Sequence, residues 1–463
     1  MTSMDRLVGL LNPLGYLFLL FAAVTVPGAL VAGLYREWTE LGLFLSLGGG
    51  VAVLGVLGVR LRTTTSLSLK EALPFTAFAY LLFSLLGAVI FLPVAPFLDS
   101  WFESMSGITT TGLSVLNPEA LPRSLVLFRS LYQWIGGGGI IVISLALLLP
   151  PGRTALALYG AEHGGDNLAG SVKLTARRVA LVYLALTAVG FVAYLTAGMS
   201  PFDAGVHILS TISTGGFSPY SDSIGHWRSP AVEAVVAVFM LLGATSFPLF
   251  WLLRPGKIRT LTRERQLWAL LFMSLGLGAL TGAAVGSLGE GLFQGISAVT
   301  TTGFTSTPTA SLPPASRFML LLGMIVGGCG GSTAGGIKLF RLFALLALLR
   351  WLFAKARLPK EAEVPLRFLG ERFSSEEAMR MAAYVFLYFG ILAVATVALV
   401  YWGYGLEESL FEAASAQGTV GLSLGITQGG PSGVKLILML LMWMGRLEIL
   451  PVLLLFRRAV RRT

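Results

Sequence analysis

Four short stretches of this chain carry the residue types that coordinate bare cations: TTTGLS (109–114), STGGFS (213–218), TTTGFT (300–305) and GTVGLS (418–423). Aligned without gaps they share a glycine column, Gly112, Gly216, Gly303 and Gly421, with Thr110, Thr214, Thr301 and Thr419 two residues before it. Ser114, Ser218, Thr305 and Ser423 follow two residues after. The match continues upstream: Ser106, Ser210, Ser297 and Ser415 stand six residues before the glycines, and the acids Asp99, Asp203, Glu290 and Glu408 thirteen before. One Thr-x-Gly alone is explained by helix capping or close packing. Four copies of a five-column pattern are an internal repeat. A pore for a dehydrated cation must replace its water with oxygen atoms, and a ring of backbone carbonyls from four strands does so. Glycine frees the backbone for this, and threonine adds a hydroxyl oxygen.

A second constellation follows from counting. GGCGGSTAGG (327–336) places six glycines and two hydroxyl residues, Ser332 and Thr333, in the middle of an apolar run. With glycine costing about 1 kcal/mol per helical position relative to alanine, the run predicts a broken helix; close packing through small residues is the alternative. The lysine that follows, Lys338, does not make a phosphate loop, because the spacing is wrong. Twenty-four residues after the filter glycines stand Gly136, Met240, Gly327 and Gly445, and one position further Gly137, Leu241, Gly328 and Arg446. Arg446, between MWMG and LEIL, is therefore the only charge in this column. A membrane-depth arginine costs at least about 2.5 kcal/mol and faces a water path or pairs with a carboxylate such as Glu448. Lys338 and Arg341 read either as cytoplasmic-side anchors or as part of the same assembly. Arg129, near the outer end of its span, can snorkel. His163, His207 and His226 have no metal-ligand spacing, and no nucleophile-base set appears, so the reading is not an enzyme.

These residues need elements to hold them. Of 463 residues, 55% are hydrophobic and 12% charged, with long uncharged runs, which excludes soluble classes. Runs sufficient to cross about 30 Å of hydrocarbon fall near 12–34, 41–60, 71–92, 124–149, 178–198, 231–253, 267–286, 316–350, 381–402 and 434–456, ten crossings with the eighth interrupted. The first run is read as a retained helix in preference to a cleaved signal peptide. Segments such as DSWFESMSGIT are too short to cross and read as half-span helices whose outer acids suit the positive dipole end and cap free N–H groups. Concentrating cations at the mouth is a second role for those acids, and Glu103, Glu119, Asp222, Glu407 and Glu412 are further vestibule candidates or ordinary solvated surface. Basic residues fill alternate connections (Arg60, Arg62, Lys70; Arg153, Lys173, Arg177, Arg178; Arg254, Lys257, Arg259, Arg263, Arg265; 350–380; Arg457, Arg458, Arg461, Arg462), which places both termini in the cytoplasm. The net charge of +10 is thus a topology signal with some attraction to anionic lipid, and no nucleic-acid partner is implied. A single cysteine, Cys329, allows no intrachain disulfide.

With these residues in place, the whole chain resembles the Trk/Ktr/HKT superfamily of potassium transporters, and within it the TrkH-type pore subunits. GTVGLS is similar to the Thr-Val-Gly signature of potassium channels, and QWIGGGGIIV (133–142), GGCGGSTAGGIKLFR (327–341) and MGRLEI (444–449) are further matches. The resemblance implies an all-α polytopic membrane protein, two N-terminal transmembrane helices (1–62) and four M1-pore helix-M2 repeats (63–152, 153–256, 257–360, 361–463) around a pseudo-fourfold pore. It implies potassium as the transported ion, held at Thr110, Thr111 and Gly112; Thr214, Gly215 and Gly216; Thr301, Thr302 and Gly303; Thr419, Val420 and Gly421, with no organic cofactor. It implies that Gly327, Gly328, Gly330, Gly331, Ser332, Thr333, Gly335, Gly336 and Lys338 form an intramembrane gating loop, and that Arg446 is a cationic barrier below the filter. A homodimer, a cytosolic nucleotide-binding ring of TrkA type docking on the basic inner loops, and a place in the cell (inner) membrane follow by the same resemblance. The loops depart from a strict Thr-Val-Gly-Tyr-Gly. The alternative activity is a proton- or sodium-coupled secondary cation transporter, disfavoured because such folds repeat twofold and carry coupling acids within spans.

Overall fold

The structure, a computed structural model, describes residues 3–60, 69–148, 168–250, 264–359, 365–368, 371–372 and 374–456. Arg62, Arg153, His163, Arg254, Lys257, Arg259, Arg263 and the tail arginines lie outside the described residues, as do the side chains of Lys70 and Lys173. Two long helices open the chain, α1 (Ser3–Tyr35) and α2 (Trp38–Arg60). They pack closely where Gly15, Gly55 and Gly58 meet: a Cβ on Gly15 would stand 2.6 Å from the Val59 nitrogen.

Four units of one pattern follow. Each has two helices flanking a short one: α3 (Leu69–Phe91), α4 (Phe97–Ile108) and α5 (Arg123–Leu148); α6 (Leu168–Thr196), α7 (Pro201–Ile212) and α8 (Pro230–Ala244); α9 (Arg265–Val285), α10 (Leu288–Val299) and α11 (Pro314–Val326) continued by α12 (Leu339–Ala356); α13 (Ser375–Tyr401), α14 (Leu406–Gly418) and α15 (Ser432–Arg446) continued by α16 (Leu450–Phe456). The half-helices have 12, 12, 12 and 13 residues. At 1.5 Å per residue these reach about 18–20 Å, less than the hydrocarbon thickness. Among the described residues six helices, α1, α2, α3, α6, α9 and α13, are long and apolar enough to cross by themselves. Two-residue strands Arg367–Phe368 and Glu371–Arg372 form the one antiparallel ladder among the described residues.

Two spans expected to be continuous are broken. The run 434–456 bends by 114° between α15 and α16, with Glu448 and Ile449 at positive φ (60° and 65°). The charged pair in MGRLEIL is held inward at the price of the helix. The run 231–253 stops at Ala244, and a short turn, Phe247–Phe250, follows. The Phe247 N–H is there taken by the Gly331 carbonyl of another unit.

Candidate functional site

All four half-helices end in the same way. The residue after each Thr of the filter column sends its N–H back five residues, Thr111 to Ser106, Gly215 to Ser210, Thr302 to Ser297 and Val420 to Ser415, at 2.8–3.0 Å. Thr110, Thr214, Thr301 and Thr419 sit at φ 53°, 53°, 56° and 51°. This is a Schellman cap with threonine where glycine is usual. A β-branched residue there costs roughly 1–3 kcal/mol, and all four units carry that strain. Two residues on, Gly112, Gly216, Gly303 and Gly421 are again left-handed at φ 85°, 75°, 80° and 98°.

The glycine column closes a ring. A Cβ on Gly112 would strike the Gly215 carbonyl oxygen, one on Gly216 the Thr302 oxygen, one on Gly303 the Val420 oxygen, and one on Gly421 the Thr111 oxygen at 2.5 Å. Each unit's glycine thus abuts the middle carbonyl of the next, in the order one, two, three, four, one. Neither φ nor space admits a side chain there, so the columns read from spacing converge on one axis. Thr109 and Thr111 share a hydroxyl contact of 2.8 Å, and Thr300 and Thr302 one of 2.9 Å. Among the described residues the Thr110 and Thr419 hydroxyls find no hydrogen-bond partner, whereas Thr214 Oγ1 donates to the Ser213 carbonyl (2.7 Å) and Thr301 Oγ1 accepts from Gly335 N (2.8 Å).

The outgoing strands are pinned from a column that sequence reasoning missed. Nine residues before each glycine stand Glu103, His207, Gln294 and Glu412, all fully buried. Glu103 accepts from Ser114 Oγ at 3.0 Å and Val115 N at 3.3 Å, and pairs with Arg129 at 2.7 Å. His207 Nε2 meets Ser218 Oγ at 3.1 Å. Gln294 donates to the Thr307 carbonyl at 2.7 Å. Glu412 takes Ser423 Oγ at 2.7 Å, Leu424 N at 3.1 Å, Thr427 N at 3.0 Å and the Thr427 hydroxyl. Glu103 and Glu412 are therefore not solvated vestibule surface, and Arg129 does not snorkel: it is 3% exposed on Glu103. The mixed residue types hid the column, although its spacing is as regular as that of the serines.

The thirteenth-position acids do not cap with their side chains. The cap acceptor of α7 is Ser200, bonded to Asp203 N. Asp99 instead meets Lys435 of the fourth unit at 2.5 Å, and Asp203 accepts from Ser200 Oγ and Tyr220 OH. Their favourable contribution is that of negative charge in a helix's first turn.

Beneath the ring runs the break predicted at 327–336, between α11 and α12. Gly327, Gly331, Gly336 and Lys338 are at positive φ (72°, 75°, 72° and 72°). Thr333 Oγ1 bonds the Ile212 carbonyl (3.0 Å) and the Gly243 carbonyl (2.9 Å), Cys329 N the Ala244 carbonyl (3.0 Å), and Gly330 N the Gln266 side chain (3.0 Å). A Cβ on Gly335 would strike the Gly418 carbonyl and Thr419 Oγ1, and one on Gly328 would come within 2.6 Å of the Ala334 Cβ. Ser332 Oγ closes a turn on the Cys329 carbonyl at 2.6 Å.

Arg446 ends α15, and is at a helix terminus because of the bend, not at mid-helix. It is 3% exposed. Its Nη1 donates to the Thr333 carbonyl at 2.7 Å and its Nη2 to the Gly136 carbonyl at 3.0 Å. The pairing with Glu448 expected as an alternative does not occur: Glu448 takes Lys338 at 3.1 Å and Arg341 at 2.5 Å. Lys338 and Arg341 are accordingly buried, 3% and 4% exposed, and belong to the loop's inner foot. Gly136 and Gly445 leave room for the half-helix ends, since a Cβ on them would strike the Ile108 and Gln417 carbonyls; Arg446 uses the Gly136 carbonyl.

A fourfold ring of carbonyls over a one-sided glycine loop is a distinctive arrangement, and comparison with known proteins agrees with it. The family described as TrkH, cation transport protein, matches residues 63–265 and 279–461. The chain belongs to the TrkH family. It is 31% identical over 461 residues to an uncharacterized cation transporter of Methanocaldococcus jannaschii, covering 97% of this chain and 95% of that one. It is 31% identical over 477 residues to the Trk system potassium uptake protein TrkG of Escherichia coli, covering 96% of each, and 30% identical over 490 residues to TrkH of Halomonas elongata, covering 98% and 99%. The crystal structure of the potassium transporter TrkH from Vibrio parahaemolyticus superposes with a TM-score of 0.86 at 27% identity, covering 98% of this chain and 99% of that one. TrkH-family membership makes the molecule a multi-pass membrane transporter and not an enzyme.

Proposed function

We propose that this chain takes up potassium across the cell membrane through a gated pore whose filter is the ring of middle carbonyls and column threonines. The observation that carries the reading is the cyclic contact of Gly112, Gly216, Gly303 and Gly421 with the carbonyls of the next unit. Four backbone oxygens joined in one cyclic contact suit a monovalent cation stripped of water, and an all-backbone ring adds no fixed charge that would trap a divalent ion. The loop 327–336 closes the inner side and Arg446 holds it there, a positive charge on the path of a cation. In keeping with the potassium uptake proteins it resembles, the chain works in the inner or plasma membrane with cytoplasmic termini, as a homodimer. A nucleotide-binding ring of TrkA type docks on the basic inner segment 350–380.

The test is rubidium-tracer uptake into liposomes holding the purified chain, with potassium or sodium as competitor. Competition by potassium at concentrations where sodium is ineffective, unchanged by an imposed pH gradient, is the expected result. Equal competition by sodium refutes selectivity, and uptake that follows the proton or sodium gradient replaces the pore with coupled transport. For the ring, deletion of 365–372 should leave basal uptake and abolish binding of the partner; retained binding overturns the docking site.

A further inference from the structure

The four filter strands are not equivalent, and one side chain from outside the filter accounts for the difference. The middle position carries Thr111, Thr302 and Val420 in three units and Gly215 in the second. A Cβ on Gly215 would run into the amide of Gln133, which projects from α5 of the first unit. That amide grips the strand on both sides: Nε2 donates to the Gly215 carbonyl at 2.5 Å, and Oε1 accepts from Phe217 N at 3.1 Å. Gln133 is fully buried. Gly215 and Gly216 in succession are the least constrained pair of the ring, since neither has a side chain to limit its φ and ψ. The Gly215 oxygen is also one of the four ring oxygens, adjoining Gly112.

We infer that Gln133 is a positioning residue for ion selectivity: its amide stands in for the missing side chain of the second filter strand, fixes the direction of the Gly215 carbonyl, and weakens that carbonyl's pull on the ion. The N–H that reaches this oxygen sets a positive end close behind the coordination site. A carbonyl freed of it presents a stronger field and freer motion, and both favour the smaller, more strongly solvated cation over potassium. The inference rests on the filter reading above.

The experiment compares Gln133→Met, which keeps length and loses both contacts, and Gln133→Glu, which keeps the acceptor for Phe217 N and loses the donor to Gly215, with Gly303→Ser, which alters the ring itself. The readout is the ratio of sodium to potassium needed to halve rubidium uptake in liposomes. The expected result is a fall in that ratio of about tenfold for both Gln133 variants, equivalent to about 1.4 kcal/mol, with uptake retained. Should Gln133→Met fail to yield protein, Gln133→Glu alone decides. A changed ratio for Gly303→Ser with unchanged ratios for the Gln133 variants, whatever their total uptake, assigns Gln133 to packing and overturns the inference alone. An unchanged ratio for all three variants overturns the filter reading with it.

Discussion

Arg446→Ala tests the gate most directly, and its size can be worked from the contacts. Arg446 makes two hydrogen bonds to backbone carbonyls, to that of Thr333 at 2.7 Å and to that of Gly136 at 3.0 Å. Gly136 is on α5, part of the frame, so that bond survives any movement of the loop. The Thr333 bond is made only while the loop lies under the ring. A hydrogen bond to a charged donor contributes about 1.5–3 kcal/mol, which corresponds to roughly 10- to 150-fold in the closed-to-open ratio of the loop. The loop retains Thr333 Oγ1 on the Ile212 and Gly243 carbonyls and Gly335 N on Thr301 Oγ1, so closure is weakened and not abolished. Rubidium uptake by the purified variant in liposomes should therefore rise by at least about tenfold. Arg446→Gln keeps one uncharged donor worth about 0.5–1.5 kcal/mol and should fall between wild type and Arg446→Ala. Monodisperse variants whose uptake equals wild type, or an Arg446→Gln at or above Arg446→Ala, would refute the latch.

Three further outcomes follow from other contacts. Thr419→Val removes a hydroxyl with no hydrogen-bond partner among the described residues and should raise the potassium concentration for half-maximal competition by about three- to tenfold, the size of one modest hydrogen bond. Thr214→Val, whose hydroxyl already serves the Ser213 carbonyl, should leave it unchanged; equal effects would remove the hydroxyls from the coordination set. Arg129→Leu strands the buried Glu103 and should cost about 3–5 kcal/mol, read as a clear fall in thermal midpoint in detergent. Glu103→Gln keeps an acceptor for Ser114 and should lose less, so the reverse order would contradict the pinning role. Glu448→Ala takes the shared carboxylate from Lys338 and Arg341 and should destabilise by a similar amount; an unchanged midpoint would mean that the cluster is solvated.

What was legible in the residues was what backbone geometry demands of residue type. Glycine at four equivalent positions was visible because φ near 80° and a carbonyl at van der Waals contact exclude everything else. The break at 327–336 was visible because glycine in number cannot hold a helix. Functions that several residue types can perform left a fainter trace. A buried group bonding the strand two to four residues past the glycine can be glutamate, histidine or glutamine, so the column of Glu103, His207, Gln294 and Glu412 repeats in space but not in letters. The bend at 447–449 was hidden because MWMGRLEILPVLLL, apolar apart from Arg446 and Glu448, reads as part of one crossing. Its cause is long-range: Glu448 must reach Lys338 and Arg341, more than a hundred residues earlier, while Arg446 points to Thr333. Gln133 was likewise quoted for its motif without its partner, because only the fold brings it to Gly215.

The arrangement below the ring follows from that of the ring itself. Coordination asks for symmetry, since an ion on the axis is held by four oxygens at equal distance, and the column threonines of all four units obey, with φ between 51° and 56°. Closure asks for the opposite: a plug on the axis has room for one segment. Among the described residues the third unit alone breaks its inner helix into a glycine loop, and the others pack against it. The second offers the carbonyls of Ile212, Gly243 and Ala244 as acceptors, the fourth leaves Gly418 and Thr419 flush against Gly335, and among the described hydrogen bonds the first is reached through Arg446 on the Gly136 carbonyl. Arg446 therefore ties the loop to the one unit that the loop makes no described hydrogen bond with, and it does so with the side chain long enough to span the axis. A shorter cation there has to choose between Thr333 and Gly136. Arg446→Lys, with a single ammonium, should accordingly keep the charge on the path yet lose one of the two bonds, which separates repulsion of the ion from latching of the loop. If uptake by Arg446→Lys matches wild type, charge is the barrier; if it approaches Arg446→Ala, the two-point bridge is.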